Sequence, residues 1–555
     1  MRDDLDQAPV TVVRAPRIVT LDGPDVEALV VSGGRILARG SWAAAQDRFP
    51  GVDVVALDGI VMPGLNDAHT HLGMASEDLL HLDLSPAAVT DKGQLLALLQ
   101  REAAQLPTGS WLRGSRYDDV KTGGEQLTRW DLDRVTAEVP TLVVHVACHW
   151  GVVNSAALAL AGIDDETAPP PGGDFGRDAA GRHNGVLLEQ ALFDFANPAA
   201  SRAGATVLPA IKLAERLVGL RRAVTAWHAA GLTSVCDAMV GPDELALFSE
   251  ASGRGLLTLR TGMLVTAPHY ELVHRLGLRT GLGDEMLRFV GVKAFVDGAV
   301  GGRTCLVEES HRGDGHGIQS TSTEELREIV RAVHADGNRV AVHANGDRAI
   351  RLLLTLLEEA AEADDRPGLR HRIEHCSLVD EDILRRMAAL RAIAVPFGSY
   401  PYFHGGALID WYGEERVERM FAHRDFLDAG ITVAGSSDYP CGPIEPLLAL
   451  QSCVTRTGYD GASVGPRQRV TVEEALRIYT TGSAEATGEA HLKGSLAPGQ
   501  LADFVVLGAD PRQVDPASIG AIPVLSTWVG GHRVWSSEDD GSDAPGPDGP
   551  SRTGP

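Results

Sequence analysis

Short β-branched runs alternate with amphipathic helical segments through the middle of this chain, a pattern typical of a parallel sheet with helical crossovers. The nine predicted strands are 61–68, 141–147, 232–238, 257–265, 289–296, 338–343, 371–376, 392–397 and 431–436. The predicted helices include 208–231, 322–337 and 348–363. Nine strands are one too many for a closed eight-stranded barrel. Because 76–206 is long and irregular for one crossover, we assign 141–147 to an insertion after the first strand of an α/β barrel.

Sheet-like sequence also flanks this central region at both ends of the chain. Residues 9–62 and 494–535 alternate short apolar runs with Gly and Asp turns, which is typical of hairpins. Since chain ends usually meet at the surface, we expect both segments to pair into one small β-sandwich. The predicted boundaries are 1–62 and 491–536 for the sandwich, 63–490 for the barrel, about 76–206 for its insertion, and 537–555 for a disordered tail.

Composition indicates which class of protein this is and which binding partners are excluded. The chain has 555 residues, 44% hydrophobic, with a formal net charge of −25, which favours a globular protein and argues against a nucleic-acid surface. The acidic start MRDDLDQAPV lacks the features of a signal peptide. The most apolar stretch, 141–163, carries His145 and His149, whose side chains are costly in lipid, so we expect no membrane helix. The six cysteines form no CxxC pair. We therefore expect a cytoplasmic protein that binds neither membrane nor nucleic acid, with a homodimer as the default assembly.

Six residues with ligand chemistry stand at or just after the ends of predicted strands. They are His69, His71, Lys293, His343, His375 and Asp438. The expected barrel positions are strand 4 for Lys293, strand 5 for His343, strand 6 for His375 and strand 8 for Asp438. The carboxyl ends of barrel strands meet at one mouth, and His69 and His71, two residues apart on an extended segment, both point into it. The pattern predicts a catalytic metal centre.

Lys293 leaves two alternatives open. A charged lysine inside a barrel beside cations is costly, so its amine must be neutral, paired or chemically converted. Reaction of a neutral amine with carbon dioxide would give a carbamate whose two oxygens can bridge two metals. The other alternative is an unmodified ammonium group paired with Asp297, four residues further on, in a single-metal site.

Asp438 has a distinct expected role as the catalytic base. A metal lowers the pKa of water to around 7 and polarises a carbonyl, and a nearby carboxylate can move the water proton to the leaving nitrogen. We expect one or two divalent metals per subunit. Zinc is the first expectation, and manganese, iron and cobalt suit the same nitrogen and oxygen donors.

Longer motifs extend over nearly the whole chain except its tail. They are PGLNDAHTHL, VKAFVDGAVGGRT, VHANGDRA, RIEHC, ERVERMFAHRDFLDAGITVAGSSDYP, EALRIYTTGSAEATG and GSLAPGQLADFVVL. Together they resemble the metal-dependent amidohydrolase superfamily, and within it the YtcJ-like branch, which includes N-substituted formamide deformylases. The resemblance implies a β-sandwich with a distorted (β/α)8 TIM barrel and an insertion that helps cover the active site. It also implies metal ligands at His69, His71, Lys293, His343 and His375, a carboxylated lysine at Lys293 as one alternative, and a catalytic aspartate at Asp438.

Within the insertion, CHWGVVNSAALALAGI resembles a segment of that branch that closes over the barrel mouth. This nominates His149, Trp150 and Asn154 for substrate binding. Asn154 is also typical of a residue that caps the following helix, and both roles are compatible because a cap would fix the loop that carries His149. Glu189, in GVLLEQ, belongs to another segment similar to the branch but has no assigned role.

Three residues elsewhere complete the predicted substrate pocket. Arg303 lies in the glycine-rich turn 298–304. Tyr400 stands before Pro401 in GSYPYFHGG, where the branch commonly has Gln-Pro, and His404 follows in the same loop. A phenol in place of an amide changes the hydrogen bonds offered to a small-molecule substrate, so the substrate of a family member cannot be carried over.

The predicted function is metal-dependent hydrolysis of a C–N bond other than a peptide bond, in a small amide, an N-substituted formamide or a carbamate. An alternative is the same metal centre acting as an esterase, lactonase or decarboxylase, since the same chemistry serves several reactions. A non-catalytic metal-binding regulatory protein is the third class. Substrate profiling separates the first two.

Overall fold

The computed structural model describes residues 9–203, 205–311 and 315–539. Most of the predicted disordered tail, 537–555, lies outside the described residues, which end at 539. Within these ranges, no helix combines the length and apolar character needed to cross a membrane.

The strands are numbered in chain order. They are β1 (Thr11–Ile18), β2 (Val26–Ser32), β3 (Arg35–Gly40), β4 (Asp53–Ala56), β5 (Ile60–Pro63), β6 (Leu65–Thr70), β7 (Leu82–Asp83), β8 (Leu112–Tyr117), β9 (Thr141–His145), β10 (Trp150–Val153), β11 (Gly173–Arg177), β12 (His183–Glu189), β13 (Leu232–Val240), β14 (Arg260–Thr266), β15 (Leu287–Phe295), β16 (Val340–Ala344), β17 (Arg372–His375), β18 (Ile393–Val395), β19 (Phe504–Leu507), β20 (Val524–Val529) and β21 (His532–Ser536).

The α-helices are numbered in the same way. They are α1 (Trp42–Arg48), α2 (Leu72–Asp78), α3 (Lys92–Ala103), α4 (Arg129–Val135), α5 (Ser155–Ala161), α6 (Gln190–Ala196), α7 (Leu213–Ala229), α8 (Pro242–Gly253), α9 (Tyr270–Leu276), α10 (Thr323–Ala335), α11 (Asp347–Ala363), α12 (Glu381–Ala389), α13 (Tyr400–His404), α14 (Ala407–Tyr412), α15 (Glu414–Val417), α16 (His423–Asp428), α17 (Pro446–Thr455), α18 (Val472–Arg477) and α19 (Ser483–Ala486). The three helices predicted from the sequence correspond to α7, α10 and α11.

Seven parallel strands form a nearly closed barrel. Their order is β18-β17-β16-β15-β14-β13-β6, so each strand pairs with its neighbour along the chain once the insertion is set aside. All nine residues of β13 are buried. A sheet covered on both faces needs apolar side chains on both, which explains why these strands read as continuous apolar runs. The predicted barrel and the strand positions of Lys293, His343 and His375 are confirmed.

The eighth predicted barrel strand, 431–436, is wrong as a regular strand. Two isolated parallel bridges join it to the preceding strand segment: Ala394 to Val433, and Phe397 to Ser436. On its other side, the Ala68 N–H donates to the Gly435 carbonyl at 2.8 Å, so the segment still closes the barrel against β6. The Gly435 N–H donates to the Ile478 carbonyl, which lies outside the barrel strands. This bond interrupts the ladder that a regular strand requires.

The insertion forms a sheet of its own. Strands β7 to β12 are ordered β11-β12-β10-β9-β8-β7, and the predicted strand 141–147 is found here as β9, outside the barrel. Strand β10 pairs with both β9 and β12. The turn between β9 and β10 is thereby held beside the end of β12, where the Glu189 N–H donates to the His149 carbonyl at 2.7 Å.

The two ends of the chain share one eight-stranded sheet. Strand β19 from the C-terminal segment pairs with β5 from the N-terminal segment, as the similar hairpin patterns predict. An isolated bridge between Arg35 and Leu501 brings the outer edge of the sheet back to the C-terminal segment, so the sheet folds over a common core. Phe504 and Trp528 stack within that core. The exact domain boundaries stay predictions.

Candidate metal centre and active site

All six predicted ligands line one cavity at the carboxyl ends of the barrel strands. The cavity contains about 340 Å³ of empty volume. The six are His69 in β6, His71 just after it, Lys293 in β15, His343 in β16, His375 at the end of β17, and Asp438 after the irregular eighth segment. The sequence therefore located the site correctly, although the metal-binding role of each residue stays a prediction.

Three of these side chains converge most closely. One ligand atom each from His69, His375 and Asp438 lies within 4.8 Å of the other two. Asp438 Oδ1 is 3.3 Å from His69 Nε2 and 3.0 Å from His71 Nε2. Neither contact has hydrogen-bond geometry, and Asp438 Oδ1 has no hydrogen-bond partner among the described residues. Converging nitrogen and oxygen atoms without such geometry are what ligands around a shared cation present.

Buried nitrogen atoms in the same cavity have no partner. The Nδ1 atoms of His71 and His375 are buried and accept or donate no hydrogen bond among the described residues. A buried polar atom left unpaired costs about 1–3 kcal/mol. A divalent cation would satisfy these atoms, so the residues present fit the metal centre that the sequence predicts.

A fully buried pair behind His69 fixes the orientation of its ring. Glu374 Oε2 contacts His69 Nδ1, and Arg372 donates to both oxygens of Glu374 at 2.7 Å. Burial raises the pKa of Glu374, but the charge of Arg372 and the contacts with Arg372 and His69 together outweigh burial and hold that pKa well below its usual range. With Nδ1 bound to a carboxylate, His69 presents the lone pair of Nε2 to the cavity.

Neither Arg372 nor Glu374 was nominated from the sequence. Both stand in the RIEHC motif, which was interpreted only through His375. The available signal was the pair of opposite charges two residues apart on a buried strand, because buried charges require partners.

Lys293 lies at the bottom of the cavity with a side chain that is 1% exposed. Its Nζ is 3.5 Å from His69 Nε2. Burial lowers the pKa of Lys293 to about 8, and the nearby Glu374 and Asp438 carboxylates oppose the shift. A larger fraction of the amine is therefore neutral near pH 7 than for an exposed lysine.

The alternative ion pair between Lys293 and Asp297 is wrong. The Asp297 carboxylate instead accepts backbone N–H groups from Leu306, Asn345 and Gly346 at 2.8, 3.0 and 2.9 Å. No ion pair to Lys293 occurs in the part of the chain that the structure describes. Burial raises the pKa of Asp297 to about 7, and its role is to fix the loops around the barrel mouth.

His343 and its neighbours form the side of the cavity nearest the insertion. His343 Nε2 lies 3.1 Å from the Gly298 carbonyl and 3.0 Å from Asn345 Nδ2, which leaves Nδ1 for a ligand. Its ring centroid is 4.9 Å from that of His149. The insertion thus delivers His149 to the cavity, as predicted.

His149 is held by a carboxylate whose role the sequence left unassigned. Its Nδ1 is 2.6 Å from Glu189 Oε2, and Thr304 Oγ1 donates to Glu189 Oε1 at 2.7 Å. Burial lowers the pKa of His149, but the charge and hydrogen bond of Glu189, together with the charge of Asp438, outweigh burial, so the net shift is upward. A Cβ at Gly298 would lie 2.2 Å from Glu189 Oε1, so this turn needs glycine for the carboxylate to approach.

Asn154 lies outside the cavity lining and serves the insertion. Its side-chain oxygen accepts from the Ala157 N–H, which caps α5, and from the Thr141 N–H, each at 3.0 Å. Its amide donates to the carbonyls of Thr136 and Val139. These contacts use the full hydrogen-bonding capacity of the side chain. The capping role is confirmed, and the structure does not bring Asn154 to the substrate.

The other nominated pocket residues also do not line the cavity. Trp150 stacks on His145 within the insertion, at a centroid distance of 4.1 Å. Arg303 is exposed on the 298–304 turn, with φ of 55°. His404 packs against the ring of Tyr400. Residues that do line the cavity but were not nominated are Met74, Cys148, Phe193, Asn197, Met239, Phe295 and Cys441.

Tyr400 supports a predicted metal ligand instead of lining the cavity. It stacks on Phe397 at 3.7 Å, and Phe397 stacks on the ring of His375 at 4.3 Å. Burial raises the pKa of Tyr400 well above its usual value, so the phenol stays neutral. The change from the branch pattern at this position therefore alters packing behind His375.

Known proteins resemble this chain over most of its length. The family model described as amidohydrolase family matches residues 53–535. The chain is 32% identical over 530 residues to a Bacillus subtilis (strain 168) protein named as amidohydrolase YtcJ, covering 93% of this chain and 97% of that protein. It is 31% identical over 526 residues to the N-substituted formamide deformylase of Arthrobacter pascens, covering 91% and 94%. The fold matches an uncharacterized metal-dependent hydrolase from Pyrococcus horikoshii OT3 with a TM-score of 0.72 at 25% identity, covering 91% and 99%.

Proposed function

The chain belongs to the amidohydrolase family, and from that premise we propose that it uses a divalent metal to hydrolyse the C–N bond of a small amide, N-substituted formamide or carbamate. The observation that carries the proposal is that ligand atoms of His69, His375 and Asp438 converge in the cavity. Buried nitrogen and oxygen atoms there have no hydrogen-bond partner among the described residues. The similarity to a formamide deformylase supports the choice of substrate class.

The residues that would hold the metal are His69, His71, His375 and Asp438, with Lys293 and His343 completing the set. A metal bound there supplies Lewis-acid polarisation of the carbonyl and lowers the pKa of water. Zinc suits this mixture of nitrogen and oxygen donors, and manganese, iron or cobalt would be accepted by the same ligands.

Asp438 moves the proton. Burial raises its pKa, but the charge of His375 and its contacts with His69 and His71 outweigh burial, so the pKa lies well below its usual value. The carboxylate is therefore ionised at neutral pH and can take a proton from the attacking water. It then delivers that proton to the leaving nitrogen as the C–N bond breaks.

His149 orients the carbonyl of the substrate. With Nδ1 bound to Glu189, the other ring nitrogen, Nε2, remains for the substrate. A raised pKa keeps a proton on that nitrogen over a wider pH range, so it can donate to the carbonyl oxygen as negative charge develops there.

Lys293 carries the carbamate in this proposal. Its lowered pKa favours the neutral amine that reacts with carbon dioxide, and the structure offers it no carboxylate partner at Asp297. Incubation with isotopically labelled bicarbonate should give one labelled carbamate signal per chain in the carbon NMR spectrum. Lys293→Met should remove that signal, and its survival in the variant would contradict the assignment.

The test of the function is hydrolysis by protein reconstituted with a single known metal. N-substituted formamides, simple amides, carbamates and matched esters would be compared by amine or alcohol release. We expect the C–N substrates to be hydrolysed, and Asp438→Asn to lose this activity while the protein stays folded. Hydrolysis of the esters alone would overturn the proposal in favour of an esterase. Full amidase activity in Asp438→Asn would overturn the role of Asp438 in proton transfer.

A further inference from the structure

A second cavity lies beside the one that holds the predicted metal ligands. It is formed by residues of α2, β8 and α6, so it lies between the barrel and the insertion. The two cavities share four lining residues: Met74, Cys148, Phe193 and Asn197. These shared residues place the second cavity directly beside the cavity that contains Asp438.

The walls of the second cavity are mainly apolar. Leu142 and Val144 contribute from β9, and Leu192 and Phe193 from α6. Each apolar group of a ligand that is buried against such walls contributes about 25 cal/mol of favourable free energy per Å² of area removed from water. The part of a ligand that crosses the cavity is therefore expected to be a hydrocarbon chain or ring.

The acidic and basic groups around this cavity are mostly paired. Arg216 binds Glu77 at 3.0 Å and Glu244 at 2.6 Å. Arg116 binds Asp83 at 2.7 Å. These contacts neutralise two of the carboxylates and one of the guanidinium groups that line the cavity.

Arg113 is engaged as well. It donates to the Pro209 carbonyl at 2.6 Å, and its other terminal nitrogen lies 3.2 Å from His81 Nε2. Burial, together with the charge of Arg113, lowers the pKa of His81 to about 3, so the imidazole is neutral. The second cavity therefore contains no histidine cation at neutral pH to attract an anionic ligand.

Asp78 and Ser115 are the unpaired polar groups of the lining. Asp78 Oδ2 and Ser115 Oγ are buried and have no hydrogen-bond partner among the described residues, and Ser115 is only 3% exposed. Asp78 is the last residue of α2, which begins directly after His71. At the rise of an α-helix, seven residues place Asp78 about 10 Å along the axis from His71.

We propose that the second cavity binds the distal end of the substrate, and that this end is a primary ammonium group on an apolar chain, held by Asp78 and Ser115. An ammonium group has three N–H donors and no acceptor, which matches the unpaired oxygens of Asp78 and Ser115. Burial raises the pKa of Asp78 to about 7, and the charge of a bound ammonium group would favour the ionised carboxylate. The substrate class is then a mono-N-formylated linear diamine. Water oxygen bonds to the formyl carbon, the C–N bond breaks, and the leaving nitrogen takes the proton from Asp438, releasing formate and the diamine.

The inference rests on the proposed function, and two matched substrate series test it with the metal-reconstituted enzyme. One series is mono-N-formyl diamines from butane- to octanediamine, and the other is N-formyl alkylamines of the same lengths. We expect the ammonium-ended member to be preferred at one length. Asp78→Asn should lower its kcat/KM about tenfold, mainly through KM, because a charge-assisted hydrogen bond is lost. The alkylamine series should be unchanged.

Control variants separate the pocket from its surroundings. Glu358→Gln removes a carboxylate that pairs with Arg386, and neither residue lines the cavity, so it should leave both series unchanged. Ser115→Ala should weaken the diamine series less than Asp78→Asn does. Equal loss on both series in Asp78→Asn would overturn the proposal, as would a preference for carboxylate-ended substrates.

Binding of the free diamine distinguishes the two proposals. If the wild-type enzyme hydrolyses no amide, formamide or carbamate, the proposed function fails, and calorimetry with the unmodified linear diamine still tests the cavity. Binding about tenfold weaker in Asp78→Asn supports the ammonium site. Equal binding by wild type and variant, or no binding by either, overturns it.

Discussion

At the residue scale, Glu189 links the insertion to the reacting centre through His149. Replacing it with Gln keeps the shape but removes the charge that favours a proton on His149. We expect kcat to fall by about tenfold to a hundredfold, because a donor to the developing oxyanion is weakened. KM should change little, since substrate contacts elsewhere are intact.

The control for Glu189→Gln is Thr304→Val. This change removes one hydrogen bond to Glu189 but keeps its charge, so a smaller loss of kcat is expected. Steady-state kinetics on the best substrate measures both variants. Parallel changes in kcat and KM would indicate that Glu189 serves only the structure of the insertion.

Glu374 also acts through a single contact, because it orients the ring of His69. Glu374→Gln should weaken metal affinity by about tenfold to a hundredfold, the usual effect of losing a carboxylate behind a histidine ligand. Competition with a chelator measures this affinity. The matched control is Glu358→Gln, which breaks a contact to Arg386 far from the cavity and should leave metal affinity unchanged. Equal affinity in Glu374→Gln and wild type would contradict the assignment.

At the element scale, His228 joins α7 to the strands that follow it. Its Nδ1 contacts the Leu232 carbonyl at 2.9 Å, and its Nε2 contacts Thr258 Oγ1 at 3.0 Å. Burial lowers the pKa of His228 to about 4. The folded state therefore holds the neutral ring while the unfolded chain takes up a proton near pH 6.5.

The stability contributed by the neutral His228 is present above about pH 6.5 and is lost as the pH falls towards the folded pKa. Relative to His228→Gln, the wild-type protein should lose about 3 kcal/mol of unfolding free energy between these limits. Denaturant unfolding at several pH values measures the difference between the two proteins. A difference that is constant with pH would show that His228 is not buried in the neutral form.

At the scale of the whole molecule, a buried ion pair attaches the terminal sheet to the barrel. Arg260 at the start of β14 donates to both oxygens of Asp503, at 2.6 and 2.9 Å. Asp503→Asn would leave the guanidinium charge buried without its partner, at a cost of about 3–5 kcal/mol. We expect one cooperative thermal transition at a lower temperature. Separate transitions for sheet and barrel would show that the two unfold independently.

The sequence predicted the parts of this molecule that depend on local pattern. Continuous apolar runs identified the barrel strands, and polar residues at their ends located the cavity. The irregular eighth segment was not predictable, because it depends on the hydrogen bond from Gly435 to Ile478, a contact distant in sequence. Contacts distant in sequence also decide that Glu189 binds His149 and that Asp297 binds backbone amides, so neither role could be derived from spacing.

The shared terminal sheet has a consequence for synthesis of the protein on the ribosome. Strand β5 emerges before the barrel, but its partner β19 emerges only after the whole barrel and its insertion. Until then, one edge of β5 offers unpaired backbone groups to any other strand that it meets. Completion of this sheet must therefore wait until β19 has left the ribosome, and a chaperone that shields this edge is expected to raise the yield of active enzyme.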